Sequence, residues 1–111
     1  MNALTQARKN LGKTMANTAN ILVVDDHSIS RYALKSILTG AGYPTFEAVD
    51  GEQAWEVLQN EKIELVIADF RMPRLNGFEL CERMKSHPQH CLTPIVMVTG
   101  ADDVASRIAA F

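Results

Sequence analysis

Three short, almost wholly apolar runs, at residues 21–24, 63–68 and 95–98, set the strongest limit on what this chain can fold into. Each is rich in Val, Ile and Leu and lacks the in–out alternation of a strand with one wet face, so each reads as a strand buried on both faces. Between them lie amphipathic stretches. In 28–38 the residues Ile29, Ala33, Leu34, Ile37 and Leu38 recur at helical spacing, and Gly40 and Gly42 stop that helix. Residues 45–49 alternate more weakly and read as a second strand at a sheet edge. Asp50 is placed to cap a helix that turns Ala54, Val57 and Leu58 inward. Met72-Pro73 and Asn76-Gly77 form a loop before a helix over 78–85, and Pro94 opens the run at 95–98. Asp102 is then placed to cap a last helix bearing Val104, Ala105, Ile108 and Ala109.

The order is βαβαβαβα. Right-handed crossovers then force a parallel sheet with helices on both faces, and ligands of such sheets bind at the carboxyl ends of the strands. There the sequence is polar. The first strand ends at Asp25-Asp26, the third at Asp69, the fourth at Thr99-Gly100. Carboxylates about 5 Å apart repel by roughly 3 kcal/mol per pair at an effective dielectric of about 20. Three of them approach a whole domain's stability, so the site must be open to water, hold a proton or bind a cation. Hard oxygen donors with open positions suit Mg²⁺. Taken singly, Asp26 reads as a helix cap, Asp25 as a solvated loop residue, Asp69 as a turn former and Thr99 as a strand-end hydroxyl. Their meeting at neighbouring strand ends favours a metal-assisted site.

These segments, Ile-Leu-Val-Val-Asp25-Asp26-His, Ala-Asp69-Phe-Arg-Met72-Pro73 with Asn76-Gly77, and Val-Met-Val-Thr99-Gly100, resemble the receiver domain of response regulators over residues 20–111. The resemblance implies a flavodoxin-like doubly wound α/β fold of strand order 2-1-3-4. It also implies a function, two-component phosphorelay. Asp69 would take a phosphoryl group from a partner histidine kinase or phosphotransfer protein. Asp26, Asp69 and the backbone carbonyl of Arg71 would ligate Mg²⁺, Asp25 would hold a metal-bound water, and Thr99 would contact the phosphoryl group and switch. The family pattern continues with a fifth strand carrying a lysine and an aromatic, and a fifth helix, which the 111 residues do not include. Lys35 and Lys85 fall in helices and Lys62 at the wrong end of the sheet, so no catalytic lysine is assigned. Two rival readings follow: a receiver that docks partners without switching, and an aspartate-nucleophile phosphatase. The second expects Asp-x-Asp after the first strand, which is absent here.

Charge and composition narrow the remaining choices. The first twenty residues carry Arg8, Lys9 and Lys13 and no acid, and the rest carries 8 Lys/Arg against 13 Asp/Glu, so the folded part is acidic and poorly suited to nucleic acid. Residues 1–19 form a basic leader, either disordered or a helix striped by Leu4, Ala7, Leu11 and Met15. Cys81 and Cys91 have no metal-ligand spacing and read as reduced thiols. No apolar run is long enough to span a membrane and no secretory h-region precedes the fold, so the expected location is the cytoplasm. His27 reads as a solvated loop histidine, His87 and His90 as chemically idle, and Trp55 as packing along its helix. Finally, nothing is expected to flank 95–98 on its outer side, so this uncharged edge is expected to pair with a second copy, as a homodimer or in aggregation.

Overall fold

The computed structural model describes residues 19–98 and the backbone of 108–110. Its elements are β1 (Ile21–Val24), α1 (Ser28–Gly40), β2 (Thr45–Ala48), α2 (Gly51–Asn60), β3 (Leu65–Asp69), α3 (Gly77–Lys85), β4 (Ile95–Val98) and β5 (Ile108–Ala110). The sheet order is β2-β1-β3-β4-β5. The first four strands run parallel, as the sequence pattern requires, with Val24 beside Ala48 and Ala68, and Asp69 beside Val98. The fold is thus the flavodoxin-like sheet of order 2-1-3-4, with β2 at an edge.

Helix ends follow local chemistry. α1 stops in a Schellman turn: Gly42, at φ 96°, donates its N–H to the Thr39 carbonyl, and Tyr43 donates to that of Leu38. α2 starts where the Asp50 carboxylate accepts the Gln53 N–H at 2.8 Å. α3 opens with a capping box in which Asn76 Oδ1 accepts the Glu79 N–H and Glu79 Oε1 accepts the Asn76 N–H.

The core lies on one face of the sheet. Leu22 and Val24 of β1, Val66 and Ala68 of β3, and Ile95 and Met97 of β4 are almost wholly buried, and α2 and α3 cover them with Ala54, Leu58, Leu80, Cys81 and Met84. On the opposite face α1 packs against β1 and β2, where Ile21 and Val23 are buried. α1 buries no residue fully, and Ile29, Tyr32 and Ile37 are exposed. No helix among the described residues is long and apolar enough to cross a membrane.

Two expectations need correction. Ile108 and Ala109, expected in a helix, lie in β5, which runs antiparallel to β4 with Val98 opposite Ile108 and Val96 opposite Ala110. The outer edge of β4 is therefore paired by the chain's own backbone, and the premise of a homodimer through that edge falls. The physical reason is that unpaired N–H and C=O groups along an apolar strand outcompete weak helix propensity once a neighbouring segment can return beside them. The basic leader up to residue 18, together with Thr99, Val104 and Ala105, lies outside the described residues.

Candidate functional site

Parallel register carries the acids to one place. Because Val24 sits beside Ala68, the residues that follow β1 arrive beside Asp69, the last residue of β3. Asp25 continues the ladder through its N–H to the Ala48 carbonyl at 3.0 Å, and its own carbonyl accepts from Arg31 Nη1 at 2.8 Å. Its carboxylate accepts the His27 N–H at 2.9 Å. The Asp69 carboxylate accepts the Arg71 N–H at 3.1 Å. One donor atom from each of Asp25, Asp26, His27 and Asp69 falls in a group whose members all lie within 4.8 Å of one another. An open groove of about 490 Å³ reaches this group, lined by Asp26, His27, Phe70, Arg71, Met72, Pro73 and Asn76.

The three carboxylates are not equivalent. Asp69 is half-buried, and burial raises its pKa above the ordinary carboxylate value; the Arg71 N–H opposes this, and the charges of Asp25 and Asp26 push it further up. A cation among these oxygens would relieve that repulsion, and a set of hard oxygen donors facing open solvent is the chemistry of a Mg²⁺ site. The residues present therefore fit such an ion.

The loop that completes the site is held from below. Gly77 brings the start of α3 against the end of β3: its N–H donates to the Phe70 carbonyl at 3.2 Å, and a Cβ there would stand 2.7 Å from the Asp69 carbonyl oxygen and 3.2 Å from Met97 Sδ. Arg74, at φ 67°, donates from Nε to Asp50 Oδ2 at 2.9 Å, tying this loop to the start of α2. Asp50 is buried, and its pKa is lowered chiefly by the Gln53 N–H, against burial and with help from Arg74.

The structure thus brings together Asp25, Asp26 and Asp69, with the Arg71 N–H rather than its carbonyl shown bonded to Asp69, whereas Thr99 is outside the described residues. Sequence reasoning missed the Arg74–Asp50 tie. Its only trace was a charged residue inside a Pro/Gly loop, paired to a helix cap 24 positions away. His27 is a largely exposed loop histidine, as expected, and its Nδ1 lies 3.2 Å from Asp26 Oδ1 and 3.5 Å from Asp25 Oδ1.

Comparison with known proteins agrees with this fold. The family model of the response regulator receiver domain matches residues 21–111. The probable transcriptional regulator ycf27 of Cyanophora paradoxa is 39% identical over 92 residues, which cover 83% of this chain and 37% of that protein. A chemotaxis protein CheY homolog of Campylobacter jejuni is 38% identical over 92 residues, covering 81% of this chain and 71% of the homolog. Among solved structures, a putative response regulator from Chloroflexus aurantiacus superposes with a TM-score of 0.74 at 32% identity, covering 79% of this chain and 72% of that one. The signal receiver domain of a histidine kinase from Syntrophus aciditrophicus gives 0.72 at 30% identity, over 80% and 67% of the two chains. The chain spans only 37%, 35% and 34% of three ycf27 proteins it matches.

Proposed function

This chain belongs to the response regulator receiver family, and from that premise we propose that Asp69 accepts a phosphoryl group from a phosphohistidine of a partner kinase or phosphotransfer protein. The observation that carries the proposal is the position of Asp69. It is a half-buried carboxylate at a central strand end, beside two further acids, one of which, Asp26, lines an open groove.

The reaction asks little covalent chemistry of the protein. An Asp69 oxygen attacks phosphorus, the phosphorus–nitrogen bond of the donor imidazole breaks, and the phosphoryl group is left as an aspartyl phosphate. The Arg71 N–H fixes one Asp69 oxygen, which leaves the other to attack. Asp26, Asp69 and the Arg71 carbonyl would hold Mg²⁺, with Asp25 reaching it through water, and the ion would neutralise charge on the transferring phosphoryl group. Thr99 is proposed to donate its hydroxyl to a phosphoryl oxygen. The chain acts in this reading as a relay acceptor and does not turn over a substrate.

Incubation with acetyl phosphate and Mg²⁺, followed by intact-mass measurement, tests the assignment. One acid-stable, base-labile phosphoryl adduct is expected on the wild type and none on Asp69→Asn. Labelling that persists in a folded Asp69→Asn variant would refute the acceptor. A phosphomonoester hydrolysed with steady turnover would revive the phosphatase reading.

A further inference from the structure

We propose that His27 contributes its imidazole to the acidic centre and tunes that centre toward transition-metal dications over Mg²⁺; the proposal rests on the receiver reading of the same site. His27 directly follows Asp26 in the turn from β1 to α1. Its backbone N–H donates to Asp25 Oδ1 at 2.9 Å, and its ring returns to the carboxylates, with Nδ1 3.2 Å from Asp26 Oδ1 and 3.5 Å from Asp25 Oδ1. His27 is the N-cap of α1, yet its side chain makes no capping bond, so the ring is not consumed in starting the helix. It lines the same groove as Asp26 and Arg71.

The distances suit shared ligation. Ligands about 2.0–2.2 Å from a cation lie at most about 4.4 Å apart across it. The four donor atoms here fall within 4.8 Å of one another, so small side-chain rotations suffice. The choice of cation follows from donor chemistry. Mg²⁺ prefers oxygen and retains its waters, whereas an imidazole nitrogen raises affinity progressively from Mn²⁺ through Co²⁺ to Ni²⁺. Two direct carboxylates and waters discriminate little between Mg²⁺ and a borderline ion; adding one imidazole shifts the preference toward the borderline one. The competing role for the ring is to donate Nδ1–H to Asp26 and orient it. Such a hydrogen bond would strengthen binding of every dication alike.

Titration calorimetry of the whole chain with Mg²⁺ alone and with Co²⁺ alone, at pH 8, separates these roles. The wild type should bind Co²⁺ more tightly than Mg²⁺. His27→Gln should weaken Co²⁺ by about tenfold or more and Mg²⁺ by less than about threefold. The ring is 73% exposed, so this variant is expected to fold normally. Asp26→Asn removes the centre while leaving His87 and His90, and so subtracts Co²⁺ bound elsewhere. Pulsed electron paramagnetic resonance of bound Mn²⁺ should show a directly coordinated ¹⁴N in the wild type and none in His27→Gln. Equal weakening of both ions, or no directly bound nitrogen, would overturn the proposal while the Mg²⁺ site stood. A wild type that binds no dication would overturn the metal centre itself and His27's part in it.

Discussion

Replacing Gly77 by Ala sets two opposed effects against each other at the base of the site. Gly77 is the first residue of α3, where Ala is favoured over Gly by at most about 1 kcal/mol on helix propensity. Against this, the added Cβ would stand 2.7 Å from the Asp69 carbonyl oxygen and 3.2 Å from Met97 Sδ, a side chain that is itself wholly buried. The carbonyl belongs to the sheet and cannot rotate away, so α3 must back off by several tenths of an ångström, and overpacking of this kind costs about 1–3 kcal/mol. The net expectation is a loss of about 1–2 kcal/mol. Gly40, the last residue of α1, is the matched control, because a Cβ there meets nothing within 4 Å. Gly40→Ala should leave stability unchanged or raise it by up to about 1 kcal/mol. Urea denaturation followed by circular dichroism measures both variants, and an unchanged slope with a lower midpoint marks a true stability loss. A Gly77→Ala protein as stable as the wild type would show that α3 docks with slack, and the steric argument would fail. Backing off α3 should also loosen the Gly77 N–H bond to the Phe70 carbonyl beside Asp69 and so weaken Mg²⁺ binding, which Gly40→Ala should not.

Mg²⁺ should raise the melting temperature of the wild type, since binding only to the folded state contributes about 2.7 kcal/mol at a hundredfold excess over its dissociation constant; Asp26→Asn should lose most of that gain, and equal gains in both proteins would argue against Asp26 as a ligand. Asp50, with its pKa lowered in the folded state, contributes stability that is present above the ordinary carboxylate value and lost as pH falls through the lower folded value. Asp50→Asn keeps a helix cap but gives up the charged tie to Arg74, so it should cost about 1 kcal/mol at pH 7 and almost nothing once the wild-type carboxyl is protonated. A gap that stays constant from neutral to strongly acid pH would refute that account.

What the sequence determined by itself was the alternation of buried strands and amphipathic helices, and with it the parallel sheet and the placing of Asp25, Asp26 and Asp69 at its carboxyl end. Strand burial and helix capping are local properties. Apolar runs with no polar alternation, Asp50 and Asn76 before their helices, and Gly42 after α1 each act over a few residues and can be read in order along the chain. Tertiary structure decided the rest, because the partners are distant in sequence. The antiparallel return of Ile108–Ala110 beside β4 depends on which strand edge is left unpaired, and a weakly apolar segment carries no record of that. Trp55, read as packing along its helix, and His87 and His90, read as idle, meet as one aromatic cluster with centroid separations of 4.7–5.4 Å, where Gln59 of α2 also meets His90. The Arg74–Asp50 tie and the approach of the His27 ring to Asp26 are likewise products of assembled geometry. Residue type set which chemistry the strand ends could hold, and packing decided which side chains came within reach of it.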